Sequence, residues 1–215
     1  MERKVIILDF DGTVYSGEDI FCHVPEYIEK NRRRFLNKLS DVEFEKVCSE
    51  NPDYMNAVSG AEICKQTYIM KEKYPTFNID MKGFTDCQEA EVYNICLDNA
   101  HITSVEDIDE ICSKYPVYVV SNSAINHIHF YMKKFGFDIG KFKKIFSNQF
   151  EEFDQSKKHY YEYIIKEEGI LPSNLYVYGD SLKSDLNPAM ELGANAYLSK
   201  DAHELKNLIF STIED

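Results

Sequence analysis

The sequence predicts an α/β protein in which a parallel β-sheet carries helices on both faces and an all-helical insert interrupts the chain near its start. Short apolar runs alternate with amphipathic segments along most of the chain, polar residues follow several of these runs, and residues 16–99 show helical periodicity without any clear strand. Alternation of this kind is typical of parallel sheets, because each parallel connection needs a crossover, which is usually a helix.

The strands are predicted from runs that are apolar throughout, as expected for strands buried on both faces. The first run covers residues 4–10 and opens the sheet. The later ones are residues 117–120, 145–146, 175–178 and 194–198.

The helices of the same part are predicted from their ends. Serine or aspartate before an apolar pattern indicates an N-cap, and glycine after it indicates a C-terminus. These signals delimit helices from Ser104 to about 115, from 125 to Gly136, from 157 to Gly169, from Asn187 to Gly193, and after Asp201.

The insert contains its own helix signals. Apolar residues from Val24 onward recur at helical spacing, Ser40 with Glu43 forms a capping box, residues 57–73 indicate a further helix, and Thr85 with Gln88 forms a second capping box. We therefore expect residues 1–15 and 100–215 to form the α/β core, and residues 16–99 to form a separate helical domain.

Composition narrows the possible partners. The 215 residues carry a formal net charge of −13, which argues against nucleic acid and anionic membrane as main partners, since both require a basic surface. No apolar run is long enough to span a membrane, and the N-terminus runs into a strand without a signal-peptide pattern, so we expect a cytoplasmic protein. The six cysteines form no CxxC pair, which favours reduced thiols.

The strongest chemical signal follows the first predicted strand. Asp9 and Asp11 leave this strand two residues apart, and Gly12 permits the sharp turn that follows. Two carboxylates this close repel each other unless a cation lies between them, so the pattern indicates a metal-assisted reaction on an anion. Ser121 and Asp180 follow other predicted strands, and the carboxyl ends of parallel strands meet at one edge of a sheet.

These residues carry a family resemblance. Four motifs in chain order resemble those of the haloacid dehalogenase superfamily: Asp9-x-Asp11-Gly12-Thr13, Val119-Val120-Ser121-Asn122, Lys157, and Gly179-Asp180-Ser181 with Asp185. The insert between the first two motifs resembles the helical cap of that superfamily. The resemblance implies a Rossmann-like core and Mg²⁺-dependent hydrolysis of a small phosphomonoester through an aspartyl-phosphate.

The resemblance also implies roles for the acids. Asp9 would be the nucleophile, and Asp11 would protonate the leaving oxygen and later deprotonate the attacking water. Asp9, the backbone carbonyl of Asp11 and Asp180 would hold Mg²⁺, with Asp185 binding directly or through water.

The phosphate-binding group is implied in the same way. Ser121, Asn122 and nearby backbone N–H groups would bind the phosphate oxygens, and Thr13 would support this loop by hydrogen bonding. Lys157 would neutralise charge on the phosphoryl group and on Asp9, although the neighbouring Lys158 is an alternative for this role.

Other functions remain open. Superfamily dehalogenases lack the second aspartate of the first motif, so Asp11 argues against dehalogenation. A phosphomutase would share every core residue, and a regulatory protein that binds a phosphorylated ligand could retain the fold without turnover. The basic cluster Arg32–Arg34 in the insert could bind a second anionic group of the substrate or could be a solvated helix face.

Overall fold

This computed structural model of the protein describes residues 3–16, 36, 38–57, 60–79, 100–123, 125–147 and 156–213. The chain divides into two compact units, Met1–Gly17 with Ala100–Asp215, and Glu18–Asn99. The helix predicted from Val24, the helix predicted from Thr85 and the cluster Arg32–Arg34 lie outside the described residues.

The first unit contains a five-stranded parallel sheet in the order β5-β4-β1-β6-β7. All residues of the central strand are buried, because β4 and β6 pair with its two edges and other side chains cover its faces. Flanking helices and this topology confirm the predicted Rossmann-like α/β core. The strands, in chain order, are β1 (Val5–Leu8), β2 (Tyr15–Ser16), β3 (His101–Ile102), β4 (Val117–Ser121), β5 (Lys144–Ser147), β6 (Leu175–Gly179) and β7 (Asn195–Leu198).

The described α-helices belong to both units, and none of them is long and apolar enough to cross a membrane. In chain order they are α1 (Asp41–Glu50), α2 (Pro52–Asn56), α3 (Gly60–Lys73), α4 (Val105–Lys114), α5 (Ile125–Phe135), α6 (Lys158–Glu168), α7 (Asn187–Met190) and α8 (Leu205–Ile213).

Local signals explain where the helices of the first unit begin and end. The Ser104 hydroxyl accepts the backbone N–H of Asp107 at 3.1 Å and caps α4. Gly169 ends α6 in the left-handed conformation, with φ of 62°. Asp201 caps a 3₁₀ turn, Ala202–Glu204, that leads directly into α8, so the helix predicted after Asp201 begins with this turn.

In the part of the second unit that the structure describes, residues 36, 38–57 and 60–79, the regular elements are the helices α1, α2 and α3. The capping box of Ser40 and Glu43 is confirmed, with both reciprocal hydrogen bonds present at the start of α1. Residues 57–73 are not one helix, however. Ala57 is extended, with φ of −59° and ψ of 130°, and it follows the short helix α2, so α3 begins only at Gly60.

A two-stranded ladder and a π-helical turn in the first unit carry no sequence signal. Strands β2 and β3 form a separate antiparallel ladder that joins Tyr15 to Ile102 and Ser16 to His101. A π-helical turn, Leu182–Leu186, precedes α7. Strands of two residues are too short for alternation to show, so neither periodicity nor turn residues predict the ladder.

A candidate active site at the carboxyl edge of the sheet

Sheet order brings three of the predicted motifs to one place. Asp9 follows the central strand β1, Ser121 ends β4 and Asp180 follows β6. Since β4 and β6 are the two neighbours of β1 and all three strands are parallel, their carboxyl ends lie side by side. The backbone N–H of Asp9 extends the ladder by donating to the Tyr178 carbonyl oxygen at 2.9 Å.

Lys157 connects the first motif to the last one. Its Nζ donates to Asp9 Oδ1 at 2.8 Å and to Asp185 Oδ1 at 2.6 Å, and the residue is only 2% exposed. Lys158, the alternative, is partly exposed and pairs with Glu191 at 3.0 Å instead. The structure therefore brings Lys157 into the cluster, immediately before the first turn of α6, and turns Lys158 away.

Three carboxylates meet around this lysine. Asp9, Asp180 and Asp185 each place one carboxylate oxygen within 4.8 Å of the others. Asp185 is fully buried, and its Oδ2 accepts the backbone N–H of Ser181 at 2.9 Å. Three acids against one ammonium group leave an excess of negative charge, and closely spaced carboxylate oxygens are the ligands that Mg²⁺ prefers.

Burial dominates the electrostatics of the cluster, and the neighbouring charges modify its effect. Burial raises the pKa of Asp9 to about 8, an effect that Lys157 opposes and Asp185 reinforces. Burial also raises the pKa of Asp180, again with Asp185 contributing. Burial alone would lower the pKa of Lys157, but the charges of Asp9 and Asp185 outweigh it and raise that pKa. A divalent cation among these oxygens would stabilise their charged forms.

Two glycines allow the acids to approach the backbone. A Cβ on Gly12 would lie 2.2 Å from Asp180 Oδ2, and a Cβ on Gly179 would lie 2.5 Å from Asp185 Cβ. Neither distance is tolerated by real side chains. Gly12 also has φ of 82°, so both its backbone conformation and its missing side chain are required at this point.

Replacing Gly12 by alanine should therefore displace Asp180 and weaken metal binding. Gly193 is a matched control, because its φ of 80° imposes the same backbone strain while a Cβ there meets nothing within 4 Å. Both variants should lose about 1 kcal/mol of unfolding free energy from backbone strain, and Gly12→Ala should lose more because its Cβ pushes against Asp180. Only Gly12→Ala should weaken Mg²⁺ binding in a calorimetric titration. Equal Mg²⁺ affinity in the two variants would show that metal binding does not depend on the close approach of Asp180 to Gly12.

Hydroxyl groups hold the second aspartate of the first motif. Tyr15 Oη donates a hydrogen bond to Asp11 Oδ1. Asp11 Oδ2 accepts two more, one from Ser121 Oγ at 3.2 Å and one from Ser123 Oγ. Tyr15 is 1% exposed and stacks on Tyr131, with ring centroids 5.2 Å apart. The carboxylate of Asp11 is thus fixed by hydroxyls that belong to β2 and to the end of β4.

Sequence reasoning missed Tyr15 and Ser123 in this arrangement. Nothing in the sequence marks Tyr15 as a partner of Asp11, since its strand β2 has only two residues. Ser123 carried a weak signal, since a hydroxyl two residues after Ser121 at the end of a strand is typical of a side-chain turn, and the Ser123 N–H donates to Ser121 Oγ at 3.0 Å.

The remaining predicted residues are placed less centrally. Asn122 is exposed at the end of β4. Thr13 is fully buried in the turn after Asp11, but within the described part of the chain its hydroxyl finds no hydrogen-bond partner. The hydrogen bond expected from Thr13 is therefore not found there.

Comparison with known proteins gives a family match over most of the chain. The family model of haloacid dehalogenase-like hydrolases matches residues 3–193. A search of curated proteins gave no match.

Solved structures of low sequence identity share the fold. One is described as a predicted phosphoglycolate phosphatase from Haemophilus somnus 129PT, with 15% identity, a TM-score of 0.57, and coverage of 97% of this chain and 99% of that chain. Another is a putative HAD-hydrolase, YfnB, from Bacillus subtilis bound to magnesium, with 13% identity, a TM-score of 0.57, and coverage of 98% and 100%. A third is a HAD-family enzyme from Bacteroides thetaiotaomicron in complex with magnesium and inorganic phosphate, with 18% identity, a TM-score of 0.53, and coverage of 96% and 98%.

Proposed function

Because the chain belongs to the family of haloacid dehalogenase-like hydrolases, we propose that it hydrolyses a small phosphomonoester with Mg²⁺ through an aspartyl-phosphate on Asp9. The observation that carries the proposal is the Lys157 ammonium group, which lies between the buried carboxylates of Asp9 and Asp185. This cluster stands beside a second aspartate, Asp11, whose side chain is held by the hydroxyls of Tyr15 and Ser123.

The residues present fit a hard divalent cation. Asp9, Asp180, Asp185 and the backbone carbonyl of Asp11 would hold it, and Gly12 leaves the room that Asp180 needs. When bound, Mg²⁺ supplies positive charge next to the phosphoryl oxygens. The Bacillus subtilis and Bacteroides thetaiotaomicron proteins with this fold were crystallised with magnesium, which supports the choice of metal.

Two displacements at phosphorus make up the proposed reaction. In the first, an oxygen of Asp9 forms a bond to phosphorus, the bond to the leaving oxygen breaks, and Asp11 gives that oxygen a proton. In the second, Asp11 takes a proton from water as the water oxygen bonds to phosphorus, and the bond to Asp9 breaks. Lys157 keeps Asp9 oriented and offsets negative charge at the phosphoryl group throughout.

Asp11 also bears on the choice among related activities. A carboxylic acid that can deliver a proton is needed when the leaving group is an alkoxide, and a departing halide needs none. The hydroxyls around Asp11 hold it where such a transfer can occur, so the arrangement favours phosphate ester hydrolysis over dehalogenation. A phosphomutase would use the same groups and would differ by returning the phosphoryl group to an organic acceptor.

We also propose that the second unit, residues 18–99, is a helical cap that selects the substrate. Its described helices pack around their own apolar core, which is what an inserted domain requires. The core residues are Leu36, Val47, Tyr54, Ala57, Met70, Tyr74 and Ile79.

Phosphate release from a panel of small phosphomonoesters tests the function. The panel should include sugar phosphates, phosphorylated hydroxy acids and nucleoside monophosphates, each with Mg²⁺ and with a chelator. We expect metal-dependent release from at least one class. Absence of release from every class, combined with conversion of one phosphorylated isomer to another, would replace hydrolysis by the mutase reaction.

Removing the hydroxyl of Tyr15 tests the role of Asp11. Tyr15→Phe should lower kcat about tenfold for alkyl phosphates, because a less well-oriented Asp11 transfers its proton less efficiently. The effect should be smaller for aryl phosphates, whose leaving groups need less protonation. Tyr118→Phe is the control. Tyr118 is also a buried tyrosine, and its hydroxyl donates to Glu168, which lies outside the site. An equal loss of kcat for alkyl and aryl phosphates would show that Tyr15 contributes only through packing.

A further inference from the structure

A second group of metal-binding side chains lies away from the three carboxylates. It consists of His101 in β3, Asp201 in the turn after β7, and His203 in the 3₁₀ turn that follows. All three residues belong to the first unit. None of them takes part in the proposed hydrolysis.

The three side chains already converge. His101 Nδ1 lies 3.2 Å from Asp201 Oδ1, although the two residues are 100 positions apart in sequence. The rings of His101 and His203 stack with centroids 4.6 Å apart and planes inclined by 12°. One ligand atom from each of the three residues lies within 4.8 Å of the others.

We propose that His101, Asp201 and His203 form a binding site for a transition-metal ion of the Zn²⁺ class. Two imidazole nitrogens and one carboxylate oxygen are the ligands of such ions, and three protein ligands leave a fourth position for water. Mg²⁺ is a poor occupant, because it prefers an all-oxygen environment. The ligand types therefore separate this site from the cluster around Lys157.

The spacing agrees with tetrahedral coordination. Bonds of about 2.0–2.2 Å in a tetrahedron place neighbouring ligand atoms about 3.3–3.5 Å apart. The distance of 3.2 Å from His101 Nδ1 to Asp201 Oδ1 is close to that edge, so a metal ion could take the place of the proton that these atoms share. Only the ring of His203 has to turn, since stacked rings cannot both point a lone pair at one ion, and this residue is exposed.

The backbone around these side chains is well anchored. The Asp201 carboxylate accepts the backbone N–H of His203 at 3.0 Å. The Thr103 hydroxyl donates to the Ala202 carbonyl oxygen at 2.8 Å, and the Ala202 N–H donates to Ser16 Oγ at 3.0 Å. The ligands are therefore presented from fixed positions, and a bound ion would join the β2–β3 ladder to the segment that precedes α8.

Zn²⁺ titration of the full chain in excess Mg²⁺ tests the site. The wild type should bind Zn²⁺, and its unfolding temperature should rise with Zn²⁺ concentration, because a ligand that binds only the folded state stabilises that state. His101→Asn and His203→Asn should each lower the Zn²⁺ affinity at least tenfold and remove most of the thermal shift. The exposed His129 on α5 provides the matched control, and His129→Asn should leave both readouts unchanged.

The same titration in an Asp180→Asn background excludes the carboxylate cluster as the source of the signal. We expect Zn²⁺ affinity there to remain dependent on His101 and His203. The proposal would be overturned by unchanged affinity in both histidine variants, by an equal loss in His129→Asn, or by disappearance of the His-dependent binding with Asp180→Asn. Each outcome is independent of whether the protein hydrolyses phosphate esters.

Discussion

Asp9→Asn should abolish metal-dependent phosphate release, lowering kcat at least about 10³-fold, because an amide cannot act as the nucleophile and no other carboxylate occupies its position. The fold should remain intact, since the substitution removes one negative charge from a cluster in which three carboxylates face a single ammonium group. Phosphate release and the unfolding temperature, measured on the same preparation, separate these two effects.

Asp138→Asn is the matched control for this substitution. Asp138 is an exposed aspartate of the same unit, and its side chain accepts the Gly140 N–H at 2.9 Å, a role that asparagine can also fill. We expect this variant to keep wild-type activity. Substantial turnover in Asp9→Asn would show that the nucleophile lies elsewhere.

The second large effect is expected from Lys157→Met. Without the ammonium group, Asp9 and Asp185 remain buried and unpaired, and breaking a buried ion pair in this way costs about 3–5 kcal/mol of unfolding free energy. Activity should fall at least about 10²-fold, because charge at the phosphoryl group is no longer offset. Mg²⁺ should restore part of the stability, since it binds the same carboxylates only in the folded state.

Lys158→Met controls for the loss of a lysine at the start of α6. Lys158 is partly exposed and its partner Glu191 is an exposed surface residue, so the substitution should change neither stability nor rate appreciably. Denaturant unfolding with and without Mg²⁺, together with phosphate release, provides the comparison. Equal rates in the two variants would contradict the role given to Lys157.

Much of the core could be predicted because its signals are local. Each of these signals involves residues that are only a few positions apart in sequence. They are the apolar run of β1, the caps at Ser104 and Gly169, and the polar residues directly after β1 and β6. Parallel pairing then brings their carboxyl ends together, since a parallel sheet has one carboxyl edge. For the same reason, the convergence of Asp9 with Asp180 follows from the strand pattern.

Features that depend on long-range contacts could not be predicted in this way. Tyr15 lies only four positions after Asp11, but its strand β2 pairs with the distant β3, and a ladder of two residues leaves no periodic pattern. His101 belongs to the same ladder, and its side chain contacts Asp201, which lies 100 positions away in sequence. The choice between Lys157 and Lys158 depended on the exact start of α6, which differs from the predicted start by one residue.

Trapping the covalent intermediate tests the central claim most directly. The protein is mixed with a phosphomonoester that it hydrolyses and with Mg²⁺, quenched in acid during turnover, digested and analysed by mass spectrometry. We expect a phosphoryl group on the peptide that contains Asp9, labile to hydroxylamine and absent from Asp9→Asn. Phosphate release without any phosphorylated protein, or a phosphoryl group on another residue, would contradict hydrolysis through Asp9.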